Sequence, residues 1–199
     1  MYFKKIVKSC LMFLVASVCV FVFCFPCDFF KASALNLRAK NLNQEVLNYK
    51  NTVAKYAKQK GLDQYVDVLL AIMMVESEGR DPDVMQSSES RGLKPGAIKN
   101  PNESIKAGVE HFSELFNYNQ AHGMDIWVTI QSYNYGFGFN FFVEKRGKAC
   151  TFDISKEYAR RMSGGETWFY RNKISIPQGG WMYCYGNMFY LDLVKQFLE

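Results

Sequence analysis

Glu76 closes a run, Val66 to Val75, in which nine of ten residues are apolar. A run of that kind at helical length has no polar side, so it belongs in the middle of a domain. A carboxyl at its end faces three influences. The C-terminus of a helix is the negative end of its dipole, apolar neighbours solvate a carboxylate poorly, and Glu78 adds like charge nearby. All three push the pKa of Glu76 upward. A carboxyl that stays protonated near neutral pH can give its proton to a leaving oxygen, which is the work of a general acid. A plainer description also fits: Glu76 as the first solvated side chain after a core helix. The pattern alone leaves both open.

Other residue types with chemical potential are few. His111 and His122 are the only histidines, and they lack the paired spacing of a zinc site. Neither Cys150 nor Cys184 sits in a recognisable nucleophile setting. The glycines at 136 and 138 lack the strand–helix context of a phosphate-binding loop. No cofactor and no metal is expected. Trp127, Tyr133, Tyr135, Trp168, Trp181 and Tyr183 have faces on which a sugar could stack, although core packing should claim most of them, Trp127 first.

The N-terminus sets the compartment. Three lysines in Met1–Lys8 precede an uncharged, Leu-, Val- and Phe-rich stretch from residue 9 to 27. This is the order of a signal peptide, with Ala32-Ser33-Ala34 as a small-x-small cleavage site. The same stretch approaches the roughly 20 residues that span a bilayer, so a retained anchor fits as well. A lipoprotein signal fits poorly, because Cys10, the one leader cysteine after a small residue, comes before the apolar stretch. Either surviving reading places the chain beyond residue 34 outside the cytoplasm. Residues 1–34 are therefore read as signal peptide or membrane anchor, with the membrane as a partner through residues 9–27 if uncleaved. Cys19, Cys24 and Cys27 share that segment with Cys10. Only Cys150 and Cys184 remain outside, and an oxidising compartment favours a disulfide between them over two free thiols. Closing a loop of about 34 residues would stabilise by roughly 3–4 kcal/mol.

Without the charges of residues 1–34 the net charge falls from +5 to +2. That balance does not itself decide about nucleic acid, and no nucleic-acid partner is expected. With 49% hydrophobic and 22% charged residues, the composition is globular.

Residues 35–44 read as a linker. Val46, Tyr49, Val53, Tyr56 and Ala57 recur at helical spacing, and Gly61 ends that helix. Asp63 is placed to cap the central helix through Glu76, with Gly79 as its left-handed cap and Pro82 preventing continuation. Residues 83–99 read as loop with a small hairpin. Asn100, Pro101 and Glu103 make a strong helix start, with Ile105, Val109, Phe112 and Phe116 as the buried stripe. Asp125 caps the next helix, which runs into Tyr133-Asn134. Shorter helices follow near Phe139–Val143 and around Ile154, Tyr158 and Met162, and the last lies within Asn187–Leu198. Residues 163–185 are aromatic and glycine-rich without a period. The architecture is mainly α, in one domain over residues 45–199.

The stretches Leu70-Ala71-Ile72-Met73-Met74-Val75-Glu76-Ser77, Met85-Gln86-Ser87-Ser88-Glu89-Ser90 and Gln131-Ser132-Tyr133-Asn134 together resemble the muramidase domain of Gram-positive cell-wall hydrolases. That family is similar to goose-type lysozymes and soluble lytic transglycosylases. Asn102-Glu103-Ser104-Ile105-Lys106-Ala107-Gly108 and Tyr185-Gly186 with Tyr190 add two further elements in the family's order. The resemblance implies a lysozyme-like fold with a minimal β-hairpin. It implies Glu76 as catalytic acid and Gln86 and Ser87 opposite it. Tyr133 and Asn134 would bind sugar and orient the acid, and Tyr185 would close over the cleft. The partner it implies is the glycan strand of peptidoglycan, cut at the β-1,4 bond between N-acetylmuramic acid and N-acetylglucosamine. Two features depart from the family. Glu78 stands where a glycine is usual, and residues 163–183 are longer and more aromatic, which would suit an extra cleft wall.

An inverting hydrolase needs a second carboxylate roughly 6.5–9.5 Å from the acid, for which Glu89, Glu103 and Glu110 are candidates. A lytic transglycosylase needs none, because the substrate's own hydroxyl attacks. A non-catalytic glycan-binding envelope protein is the reading from a different class, though such a protein has no chemical reason to keep Glu76. An anchored glycan-cutting enzyme would suit local opening of the wall, with secretion or conjugation machinery as a partner. If the chain ends at Glu199, it cuts sugar only.

Overall fold

The computed structural model describes residues 36–199; the leader, its four cysteines and its cleavage site lie outside the described residues. The chain is mainly helical. Helix α1 (Gln44–Asn48) is capped by Asn43, whose side chain accepts the Val46 amide. It is followed at once by α2 (Lys50–Gln59). The expected single helix is split at Tyr49, whose amide bonds to the Val46 carbonyl three residues back, a tighter turn than the α-helix allows.

The central helix α3 runs from Val66 to Glu76, and every side chain from Val68 to Met73 is buried. Asp63 does not cap it as the sequence suggested. A 3-10 turn, Asp63–Tyr65, intervenes, and no side chain caps α3. At its other end Glu78 and Gly79 both take left-handed backbone angles. Gly79 cannot be replaced cheaply, since a Cβ there would lie 2.9 Å from the backbone of Glu45 and Val46. That close approach ties α1 to the end of α3.

Helix α4 (Pro101–Ala121) begins as read, with the Asn100 side chain accepting the Asn102 and Glu103 amides. Helix α5 (Ile126–Tyr135) starts at the Asp125 cap. Then come α6 (Phe137–Glu144), α7 (Phe152–Met162) and, near the C-terminus, α8 (Tyr190–Lys195). Two hydrophobic clusters hold these together. One joins α1 to α5 with α8 around α3; the other joins α5, α6 and α7 with Met182, Met188 and Phe189.

The hairpin exists, but not within residues 83–99. Strands β1 (Thr167–Phe169) and β2 (Trp181–Tyr183) pair antiparallel, with Trp168 opposite Met182. Residues 83–99 hold no strand, only a 3-10 turn at Glu89–Arg91. The physical reason is Asp83, whose carboxylate takes the backbone amides of Ser87 and Ser88, donors that a strand would pair with a neighbour. Part of the expected linker is also hydrogen-bonded into the body. Arg38 exchanges two backbone bonds with Glu199, and the Lys40 amide donates to Phe197.

The expected Cys150–Cys184 disulfide is not formed. Both thiols are free: Cys150 is half-buried, with its sulfur 3.5 Å from the Ser155 hydroxyl, and Cys184 is exposed after β2. Burial pushes the Cys150 thiol up to about 12, so it behaves as a small packing group and not as a nucleophile. Among the described residues, no helix is long and apolar enough to cross a membrane.

Candidate active site

Helix α3 delivers Glu76 to the floor of an open cleft of about 540 Å³. Gln86, Ser87, Glu89 and Ser90 form one wall. Tyr133, Asn134, Tyr135 and Gly136, at the end of α5, form another, and His111 of α4 joins them. The sequence-chosen residues Glu76, Gln86, Ser87, Glu89, Tyr133 and Asn134 thus meet in one place. Tyr185 does not line this space. It is half-buried behind it, against the Tyr135 and Tyr158 rings, with its hydroxyl donating to the Tyr135 carbonyl at 3.3 Å.

Burial pushes the Glu76 carboxyl up to about 7. A hydrogen bond from Tyr190 opposes this, and the negative charges of Asp83 and Glu89 add to it. Glu78 is not the like charge that the sequence suggested. It is exposed and forms an ion pair with Arg80 at 2.8 Å. The Tyr190 hydroxyl donates to Glu76 Oε1 at 2.5 Å, fixing one oxygen and leaving the other for a ligand.

Tyr190 is the residue that sequence reasoning undervalued. It was legible only as one tyrosine in a terminal motif, because 114 positions separate it from Glu76. Its placement comes from α5. Gln131, fully buried, donates to the Asn187 carbonyl and accepts the Leu191 amide, each at 3.0 Å. Asn134 accepts the Asn187 amide at 2.7 Å. These bonds clamp the start of α8, and with it Tyr190. The side-chain oxygen of Asn134 is therefore engaged within the protein, as is the Tyr133 hydroxyl, which donates to the Met85 carbonyl at 2.9 Å. Gly108 permits that contact, since a Cβ there would sit 2.7 Å from both the Met85 Cβ and the Tyr133 hydroxyl.

The Tyr190 bond stabilises the ionised form of Glu76. Tyr190→Phe should therefore move the Glu76 titration above about 7. The carboxyl 13C shift of Glu76, followed against pH in both proteins, checks this; an unchanged or lowered midpoint would contradict it.

Asp83 holds the wall opposite the acid and was missing from the sequence candidates. It is fully buried. It accepts the Ser88 hydroxyl at 2.5 Å, the Ser104 hydroxyl at 2.6 Å and the two amides. Burial alone would raise its pKa, but the bonds from Ser104, Ser88 and Ser87 outweigh that and hold it below the usual carboxylate range. The loop it organises places Gln86 with a positive φ of 46°, and the Gln86 side chain donates to the Asp83 carbonyl. The Ser87 hydroxyl is turned inward onto the Ser104 carbonyl, so Ser87 helps to build the wall.

Of the three candidate second carboxylates, only Glu89 lines the cleft, where it is exposed. Glu103 lies on the solvent side of the first turn of α4. Glu110 is held outside the cleft by Arg91 and Lys60. Among the described residues, no cluster of side chains suits a metal ion.

A buried helix ending in a high-pKa acid, set beneath a polar cleft in a mainly helical body, fits a lysozyme-like fold. The chain belongs to the lysozyme-like family, whose model matches residues 43–198. It is 36% identical over 155 residues to the bifunctional muramidase/DL-endopeptidase CwlT of Bacillus subtilis (strain 168), which covers 78% of this chain and 42% of that protein. It is 31% identical over 184 residues to the uncharacterized membrane protein YocA of the same organism, covering 92% of this chain and 81% of that one. A crystal structure of a protein similar to a lipoprotein of the NLP/P60 family, from Staphylococcus aureus subsp. aureus Mu50, superimposes with a TM-score of 0.78 at 47% identity. That match covers 79% of this chain and 54% of the other. The chain therefore spans about half the length of CwlT and of the staphylococcal protein.

Proposed function

We propose that the chain is a muramidase that hydrolyses the β-1,4 bond between N-acetylmuramic acid and N-acetylglucosamine in peptidoglycan, with Glu76 as general acid. The observation that carries this reading is a carboxyl raised to about 7 on the floor of an open cleft, with one oxygen held by Tyr190. Glu76 gives its proton to the glycosidic oxygen as the bond to the anomeric carbon breaks. Glu89, the other carboxylate of the cleft, takes a proton from the water that adds to that carbon. The two carboxyls then exchange that proton through solvent. Family membership and the muramidase relative support the substrate class.

Peptidoglycan lies outside the cytoplasmic membrane, and the leader's charge order is consistent with that side. Two relatives, the membrane protein YocA and the staphylococcal protein similar to a lipoprotein, agree with that side. Held by its leader, the enzyme would open the wall locally.

The test is digestion of purified peptidoglycan by the full chain, with mass analysis of the fragments. Hydrolysis yields reducing ends that take up oxygen from 18O water, and Glu89→Gln should lower the rate by about 10²-fold or more. Anhydro ends without 18O would replace hydrolysis with lytic transglycosylation. Binding without cleavage would make the chain a glycan-binding protein.

A further inference from the structure

A second space of about 230 Å³ adjoins the cleft, lined by Ser90, Arg91, Ala107, Glu110, His111 and Glu114. Ser90 and His111 line both spaces, so the smaller one is a side chamber next to the cleft, with His111 between them. Ala107, Glu110, His111 and Glu114 stand at i, i+3, i+4 and i+7 of α4 and hence on one face. Arg91 closes the chamber from the turn across it.

The walls carry both signs of charge. Arg91 and Lys60 share Glu110 between them. A guanidinium has five N–H donors in a fixed fork, so Arg91 keeps donors beyond those that face Glu110. Glu114 is exposed and has no ion-pair partner among the described residues. The imidazole at the threshold is held below its usual pKa by burial, so it presents a neutral polar edge. Its ring lies 5.2 Å from that of Tyr133. A chamber with a free carboxylate, a guanidinium and a neutral ring fits a short zwitterionic chain.

A glycan strand is linear except at one place: each muramic acid carries a peptide on its lactyl ether, with acidic residues and a diamino acid. We propose that the side chamber receives this peptide branch, Glu114 facing the ammonium of the diamino acid and Arg91 facing a peptide carboxylate. The proposal rests on the muramidase reading, because it takes the cleft to hold the sugar backbone. It predicts that the enzyme prefers strands whose peptides have a free amine over strands whose peptides are removed or whose amines are used in cross-links.

The experiment compares the full chain and its Glu114→Gln variant on two substrates, uncross-linked peptidoglycan and the same glycan stripped of peptides by an amidase. The expected result is a wild-type preference for the peptide-bearing polymer. In Glu114→Gln the ratio of kcat/KM on the two polymers should fall about two- to fivefold, the size of one exposed ion pair, mainly through KM. Acetylating the peptide amines of the substrate should produce the same fall in wild type and none further in the variant. An unchanged ratio in Glu114→Gln, or equal sensitivity of both enzymes to amine acetylation, would overturn the assignment. Calorimetric titration with a peptide-bearing disaccharide and with the bare disaccharide keeps the two readings apart. If wild type cuts neither polymer, the muramidase reading fails. The chamber then stands or falls on whether the peptide strengthens binding and Glu114→Gln removes that gain.

Discussion

Glu76→Gln should reduce wall digestion by at least about 10³-fold, the upper range of what a general acid contributes, while the protein stays folded and becomes more stable at neutral pH. Both halves follow from one cause. The amide is close to isosteric and can still accept the Tyr190 hydroxyl, but it has no proton to give. In wild type the folded protein holds a proton on Glu76 up to about 7, whereas the unfolded chain loses it near the ordinary glutamate value of about 4.3. Over that window the native state binds more protons than the unfolded one, so stability falls as pH rises. The buried carboxylate is then a standing cost above pH 7, on the order of 3–4 kcal/mol, and Gln removes it. Turbidity clearing with reducing-end release measures the first effect; denaturant unfolding at pH 5 and pH 8 measures the second. An active Gln variant would remove Glu76 from the chemistry. Equal unfolding free energies for the two proteins at pH 8 would mean that the carboxyl is not raised. The same titration sets the wild-type pH profile. With Glu76 as the proposed general acid, kcat/KM should fall as pH rises through about 7, approaching tenfold per pH unit.

The second large effect belongs to Asp83→Asn. Its two carboxylate oxygens accept the backbone amides of Ser87 and Ser88 and the hydroxyls of Ser88 and Ser104. Hydroxyl hydrogens can rotate, but backbone amides cannot. Oδ1 faces the Ser87 amide and Oδ2 the Ser88 amide, so an Asn must point its NH2 group at one of them in either orientation. Leaving buried donors facing a donor should cost about 2–4 kcal/mol, a fall in Tm of roughly 5–15 °C for a domain of this size. Because the same loop carries Gln86 and Glu89, digestion should fall as well. The pH dependence separates Asp83 from Glu76. A carboxylate whose pKa is depressed contributes stability above its unfolded value, and that stability is lost as pH falls through the lower folded value. Wild type should therefore weaken toward pH 3 and the Asn variant less so. Thermal melts from pH 3 to 7 decide it: parallel curves for the two proteins would deny Asp83 this role.

The local signals explain what could be read along the chain. Asn100-Pro101 and Asp125 name their helix starts because capping is settled within three residues. Helix α3 is legible as central because a stretch without a polar side must be buried. Glu76 follows from that helix, and the cleft residues Gln86, Tyr133 and Asn134 from motifs in order. Asp63 opens a 3-10 turn and caps nothing, because that turn and a cap share the same residue preferences. The hairpin at Thr167–Phe169 and Trp181–Tyr183 leaves no local signal, because short strands in glycine-rich segments have no periodicity to read.

Local pattern determined most of the helices, the Asn100 and Asp125 caps and the acid at the end of its apolar helix, and the resemblance of motifs in order pointed to the family. Only the tertiary structure decided how that acid is served. Tyr190 reaches it from the far end of the chain because Gln131 and Asn134 clamp α8. Asp83 ties its own loop, through Ser87 and Ser88, to Ser104 of α4, 21 positions away. Glu89 enters the cleft while Glu110 is held outside it by Arg91 and Lys60. Each of these depends on side chains that are distant in sequence meeting in a low-dielectric interior, where pairing and burial, and not local preference, set the free energy.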